Sequence, residues 1–226
     1  YIKKFQEKIN FLLLFFNFKF MVYKNFSLFL IFISFVKTVT AFSGETILEK
    51  EIFSDTKNYH YQEAVHYLYE KKIVSGYSDG SFGVDQKINR AEFTKILIEA
   101  TNEKFENIAE EYQQKCFSDI LINQWYTPYV CFAKEKNIIE WYPNGDFLPA
   151  QEINLAEALK IIVNVFQIET AKNNDNQWYY PFVIAMNNNN YIPSTFKEIW
   201  QTVTRGEMAE MIWRVLEEKK EQDSAI

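Results

Sequence analysis

The chain has 226 residues and a formal net charge of −6, with 18% aromatic and 24% charged side chains. Six of the 24 basic and one of the 30 acidic side chains precede Phe42, which leaves 18 against 29 and a net charge of −11 beyond that point. That balance argues against a nucleic-acid-binding surface, which needs clustered Lys and Arg to neutralise phosphate, and an anionic ligand would have to be held by a local site against the overall field.

The first methionine is Met21, in "MVYKNFSLFLIFISFVKTVTAFS". Lys24, the apolar run Phe26–Val36 and the small residues Val39-Thr40-Ala41 predict a signal peptide over about 21–41. The run is shorter than the roughly 20 residues of a membrane span. An uncleaved anchor that also uses "FLLLFFNF" is the alternative, weakened by Lys19, Lys24 and Asn25. Residues 1–41 are therefore set outside the fold, and whether 1–20 are translated stays open.

Beyond the leader the chain repeats itself. "HYQEAVHYLYEKKIVSGYSDGSF" (60–82) matches "WYTPYVCFAKEKNIIEWYPNGDF" (125–147) at an offset of 65, and "WYYPFVIAMNNNNYI" (178–192) continues at a further 53. Each copy reaches a similar segment, "INRAEF" at 88, "INLAEA" at 153 and "VTRGEM" at 203, and two copies open on "FSD". The units are 42–102, 116–168 and 169–218, with a polar linker at 103–115 and a frayed tail at 219–226. Each is read as two helices around a turn-rich connection. The first helix covers about 60–72, 125–136 and 178–189, with Ala64, Val65, Leu68 and Tyr69 on one face. The second covers about 90–101, 155–167 and 205–218, where Phe93, Ile96, Leu97 and Ala100 recur at helical spacing. "SDG" and "PNG" are turn signals, and the third copy lacks that turn. A two-helix unit cannot bury its apolar stripe alone, so the copies must pack together.

The second helices carry capping boxes: Asn89 with Glu92, Asn154 with Glu157, and Thr204 with Glu207. Capping explains those residues but not Arg90 or Arg205, because a cation is disfavoured beside the positive end of a helix dipole. The chain has 21 Lys and three Arg, and two of the three Arg occupy this slot. A planar guanidinium fork beside free helix amides suits a carboxylate or phosphate. An arginine merely paired with a neighbouring acid is the alternative.

The combination "FSD…GYSDGSF…INRAEF" resembles the S-layer homology family over about 53–216. The resemblance implies an all-α bundle of three repeats in pseudo-threefold arrangement. It implies non-covalent binding of cell-wall polysaccharide, often through acidic or pyruvylated sugars, in grooves between repeats. It assigns groove positions to Arg90 and Arg205, Trp125 and Trp178, Asp55 and Asp119, and Gly76. Departures are His60 where the other copies have Trp, Leu155 in place of Arg, and Trp141 in place of Gly. For the tryptophans, packing in the core is the competing reading.

Cys116 and Cys131 follow an export signal, so a disulfide is expected, closing a loop worth roughly 3 kcal/mol; two buried thiols are the alternative. His60 and His66 lie on different helix faces and suggest no metal pair. No phosphate loop or nucleophile elbow occurs, so no cofactor, metal or catalysis is expected. The reading is a secreted, wall-associated binding module. A surface-layer or adaptor protein that self-associates at the cell surface is the alternative from another class, and a glycan hydrolase is a third.

Overall fold

The computed structural model describes residues 52–101, 111–112, 114–140, 142–172 and 176–224, the last six by their backbone. The expected leader, Trp141, most of the expected linker and residues 225–226 lie outside the described residues.

Six helices occur among the described residues: α1 Gln62–Glu70, α2 Arg90–Glu99, α3 Thr127–Glu135, α4 Leu155–Phe166, α5 Tyr180–Asn188 and α6 Arg205–Ser224. The fold is all-α, and none of these helices is long and apolar enough to cross a membrane. Five of them start in one of two ways, while α1 has neither a side-chain cap nor a proline in its first turn. α2 and α4 have complete capping boxes on Asn89–Glu92 and Asn154–Glu157, and at the head of α6 the Thr204 hydroxyl and the Glu207 carboxylate exchange the same two bonds. α3 and α5 instead have a proline in the first turn, Pro128 and Pro181, where the missing N–H costs nothing.

The first helices end alike. Lys72, Asn137 and Asn190 follow α1, α3 and α5 with φ of 61°, 57° and 57°. The next amide bonds back into the helix, from Ile73 to Leu68, Ile138 to Ala133 and Tyr191 to Met186. This is the left-handed stop that satisfies otherwise orphaned carbonyls. The last helix continues to Ser224 where a frayed tail was expected. Glu, Lys and Gln, which fill 217–222, are strong helix formers and extend it.

The predicted stripes are buried, Ala64, Val65 and Leu68, then Phe93, Ile96, Leu97 and Ala100, and in the third unit Met208, Met211, Ile212 and Val215 are buried in the same way. Tyr69 departs from its stripe. It is exposed and packs edge-on against Phe53. The helices of one unit do not pair mainly with each other. α1 packs on α6, α3 on α2 and α5 on α4, so each first helix covers the second helix of another unit.

The units lock where the second helices begin. The Ile88 amide donates to the Val203 carbonyl, the Val203 amide to Ile153 and the Ile153 amide to Ile88, at 2.9–3.1 Å, which closes a ring. All three side chains are fully buried. Buried amides need partners, and here each unit supplies them to the next. One hydrophobic core runs through all of it.

Candidate functional site

The ring has a direct consequence for the helix starts. A helix leaves its first amides without partners, and these were expected to be free for an anion. They are not. The amides of Arg90, Leu155 and Arg205 donate to the carbonyls of Gln151, Gln201 and Gln86, and those of Ala91, Ala156 and Gly206 to Pro149, Ile199 and Val84. The third amide of each helix goes to the capping side chain. Joining the units consumes the donors, so any anion must be met by side chains.

Both arginines leave their own unit. Arg205 Nε donates to the carbonyl of Phe82 at 3.0 Å and Nη2 to that of Ser75 at 3.2 Å, with the guanidinium 5.0 and 4.7 Å from the ring centres of Tyr77 and Phe82. Arg90 does the same one unit on. Its Nε donates to Phe147 at 2.8 Å, its guanidinium lies 4.7 and 4.9 Å from the Tyr142 and Phe147 rings, and Nη1 is 3.8 Å from Glu157. Carbonyl oxygens and ring faces offset the cost of burying a cation at a helix start. Both residues are buried, at 5% and 7% exposure.

Each arginine therefore clamps the turn of the next unit, 77–82 for Arg205 and 142–147 for Arg90. Leu155 occupies the same slot facing the third unit, where the turn is missing. The two departures therefore fall at one junction, the second unit's leucine opposite the third unit's missing turn.

The opening acids grip the same turns from the other side. Asp55 accepts the amides of Phe82, Gly83 and Val84 at 2.7–2.9 Å, and Asp119 those of Phe147 and Leu148. Burial alone would raise the Asp55 carboxyl, but these amides hold it below its usual value. Their oxygens are engaged by the protein's own backbone, so both acids hold the turns in place. Gly76 is also explained by packing, since a Cβ there would collide with the Phe53 ring and come 2.7 Å from the Ser81 carbonyl.

The tryptophans reverse the packing expectation. Trp125 and Trp178 are 52% and 45% exposed. Trp178 and Arg90 are brought together in one cavity of about 170 Å³, whose wall also includes Tyr142, Glu157, Lys160 and Glu140. The first unit contributes the arginine, the second most of the wall and the third the indole. Trp125 contacts the ring of Tyr126. The cavity volume is below the ~300–1,000 Å³ of drug-sized ligand sites and suits one sugar-sized group.

Lys160, Glu140 and Tyr142 were not singled out by sequence reasoning, although Lys95/Lys160 and Tyr77/Tyr142 recur at the same offset of 65. Lys160 Nζ lies 2.7 Å from Glu140 and 5.7 Å above the Trp178 ring. The Tyr142 hydroxyl bonds Glu157 and accepts from Gln151. Burial and the bond to Glu157 push it up to about 12, so it stays protonated and donates. Cys116 and Cys131 are joined, with Cα atoms 5.4 Å apart, and tie the opening of the second unit to α3. His60 is exposed beside the rings of Tyr59 and Tyr61. Among the described residues no group of His, Cys, Asp and Glu is placed to hold a metal.

The helical units are thus interlocked at their helix starts, with a small cavity of aromatic, cationic and acidic side chains at one junction. Two segments, residues 52–94 and 117–159, match the S-layer homology domain family. The chain is 30% identical over 98 residues to the middle cell wall protein of Brevibacillus brevis, covering 43% of this chain and 9% of that protein. It is 31% identical over 111 residues to a cellulosome-anchoring protein of Acetivibrio thermocellus, covering 49% and 25%. It is 26% identical over 168 residues to a cell surface protein of Thermoanaerobacter kivui, covering 73% and 21%. The match thus spans 9–25% of the lengths of these relatives.

Proposed function

We propose that this chain is a secreted module that attaches non-covalently to an acidic cell-envelope polysaccharide, a class that includes pyruvylated ones. It does so through grooves between three S-layer homology repeats, the third being the diverged unit 169–218, in pseudo-threefold arrangement. The closed ring through Ile88, Ile153 and Val203 supports counting the third unit with the other two. The observation that carries the function is the Arg90 cavity, where a guanidinium, a lysine and an exposed indole converge. Cations with an aromatic face suit a sugar that bears a carboxylate. The relatives' names, with cell wall, cell surface and anchoring among them, support the same location.

The test is co-sedimentation of the full chain with sacculi, before and after the wall polysaccharide is stripped. Binding should fall on stripping. It should also fall for Trp178→Ala, an exposed position whose loss leaves the core intact, and for Arg90→Ala if circular dichroism shows the fold retained. Undiminished sedimentation of both variants overturns the reading.

A second reading, self-assembly through protein contacts, is favoured by the neighbouring Leu121, Ile122 and Trp125, which are 60%, 57% and 52% exposed. Concentration-dependent association without wall binding would select it.

A further inference from the structure

Trp200 is not part of the repeated pattern. The second-helix starts align Ile199 with Val84 and Pro149, because these three carbonyls accept the equivalent amides of Gly206, Ala91 and Ala156. Trp200 therefore stands where the other units have Asp85 and Ala150. A large indole at that position is 52% exposed, and nothing in the ring or the core requires it there.

Its surroundings give it a direction. The Trp200 ring lies 6.4 Å from that of Trp178, tilted by 51°, and 5.3 Å edge-on from Tyr179. Its backbone is held on both sides, by the Ala156 amide on Ile199 and the Leu155 amide on Gln201. The indole thus sits on a fixed segment at the first turn of α4, the helix whose Glu157 and Lys160 line the cavity. Trp178 is shared, forming a wall of the cavity and the neighbour of Trp200.

We propose that Trp178 and Trp200 form a second sugar-stacking subsite, continuous with the Arg90 cavity, that takes a neutral pyranose ring next to the acidic sugar of the same glycan. This rests on the function proposed above. The tilt offers two separate ring faces, as a chain turning at a glycosidic bond requires. An indole face is apolar and electron-rich and accepts the C–H face of a pyranose, while the sugar hydroxyls stay in water. The exposed surface of the two rings is on the order of 200 Å², far short of the roughly 800 Å² per partner of a stable protein interface. Its continuity with a sugar-sized cavity makes a glycan the occupant.

The experiment uses the full chain and wall polysaccharide released from sacculi by mild acid, separated into its acidic monosaccharide and acidic oligosaccharides. Calorimetry compares wild type, Trp200→Ala and Trp200→Phe, with circular dichroism as the check on folding. Trp200→Ala should lose roughly tenfold in affinity for the oligosaccharides and nothing for the monosaccharide. Trp200→Phe should recover most of the loss. Equal binding of oligosaccharides by wild type and Trp200→Ala overturns the subsite and leaves the wall-binding function standing. Equal losses for both ligands also overturn it, since they would mark a general disturbance. Altered self-association with unchanged glycan binding would assign Trp200 to a protein contact and overturn it too. If wild type binds none of the released material, both proposals fall together.

Discussion

Arg205 Nε donates to the carbonyl oxygen of Phe82 at 3.0 Å across 123 residues of chain, and Arg90 repeats the contact with Phe147 across 57. The residue that begins one unit's second helix thereby sets the position of another unit's turn. Replacing Arg205 with Ala should cost about 2–3 kcal/mol in urea unfolding, because the Phe82 and Ser75 carbonyls lose a charged donor. Lysine should rescue only part of this, since its ammonium lacks the planar fork. An unchanged midpoint for Arg205→Ala would remove the clamp.

Asp55 predicts an acid dependence. Its folded carboxyl lies below the ordinary 3.8, so its stabilisation is fully present above that value and is lost as pH falls through the lower folded value. Asp55→Asn should be less stable at neutral pH by about 1–3 kcal/mol, as an amide cannot accept three backbone bonds with both ends. The gap between variant and wild type should narrow below pH 4. Chemical unfolding from pH 6 to pH 2 tests both points, and a gap independent of pH would contradict them.

Lys72 is a stabilising target. It occupies a left-handed position with φ of 61°, where the equivalent residues are Asn137 and Asn190. That conformation costs a long side chain roughly 1–2 kcal/mol and an asparagine less. Lys72→Asn should therefore raise stability by about 0.5–1 kcal/mol. Thermal unfolding should show a gain of a few degrees, and a lower transition would refute the strain.

Glu140 bears on the proposed ligand. Its carboxylate lies 2.7 Å from Lys160 Nζ on the cavity wall and its side chain is 66% exposed. Glu140→Gln should free the lysine, leave stability within about 0.5 kcal/mol, and strengthen binding of an acidic glycan several-fold with a steeper salt dependence. Weaker binding would mean that the carboxylate itself contacts the sugar.

What could be read without coordinates follows a physical boundary. Capping boxes span three residues, amphipathic stripes three or four, and turn signals two or three, so the helices, their starts and the repeat were legible from local spacing. Tyr69 left its expected stripe, and charged helix formers carried α6 on to Ser224. The arginines mark where local reading stops. Their anomaly was visible in the sequence as a cation at a helix start, but the partners, Phe82 and Phe147, belong to other units.

The sequence by itself determined where each second helix begins, which faces are apolar and which residues break the repeat, because short-range hydrogen bonding and hydrophobic period set those. Only the tertiary structure decided that the helix-start amides are consumed by the ring, that Asp55 and Asp119 point inward to backbone, and that Trp178 and Trp200 stand in solvent beside one cavity. All three depend on how separate units meet. Satisfying buried polar groups when distant segments join selects among arrangements that any local pattern leaves equally open.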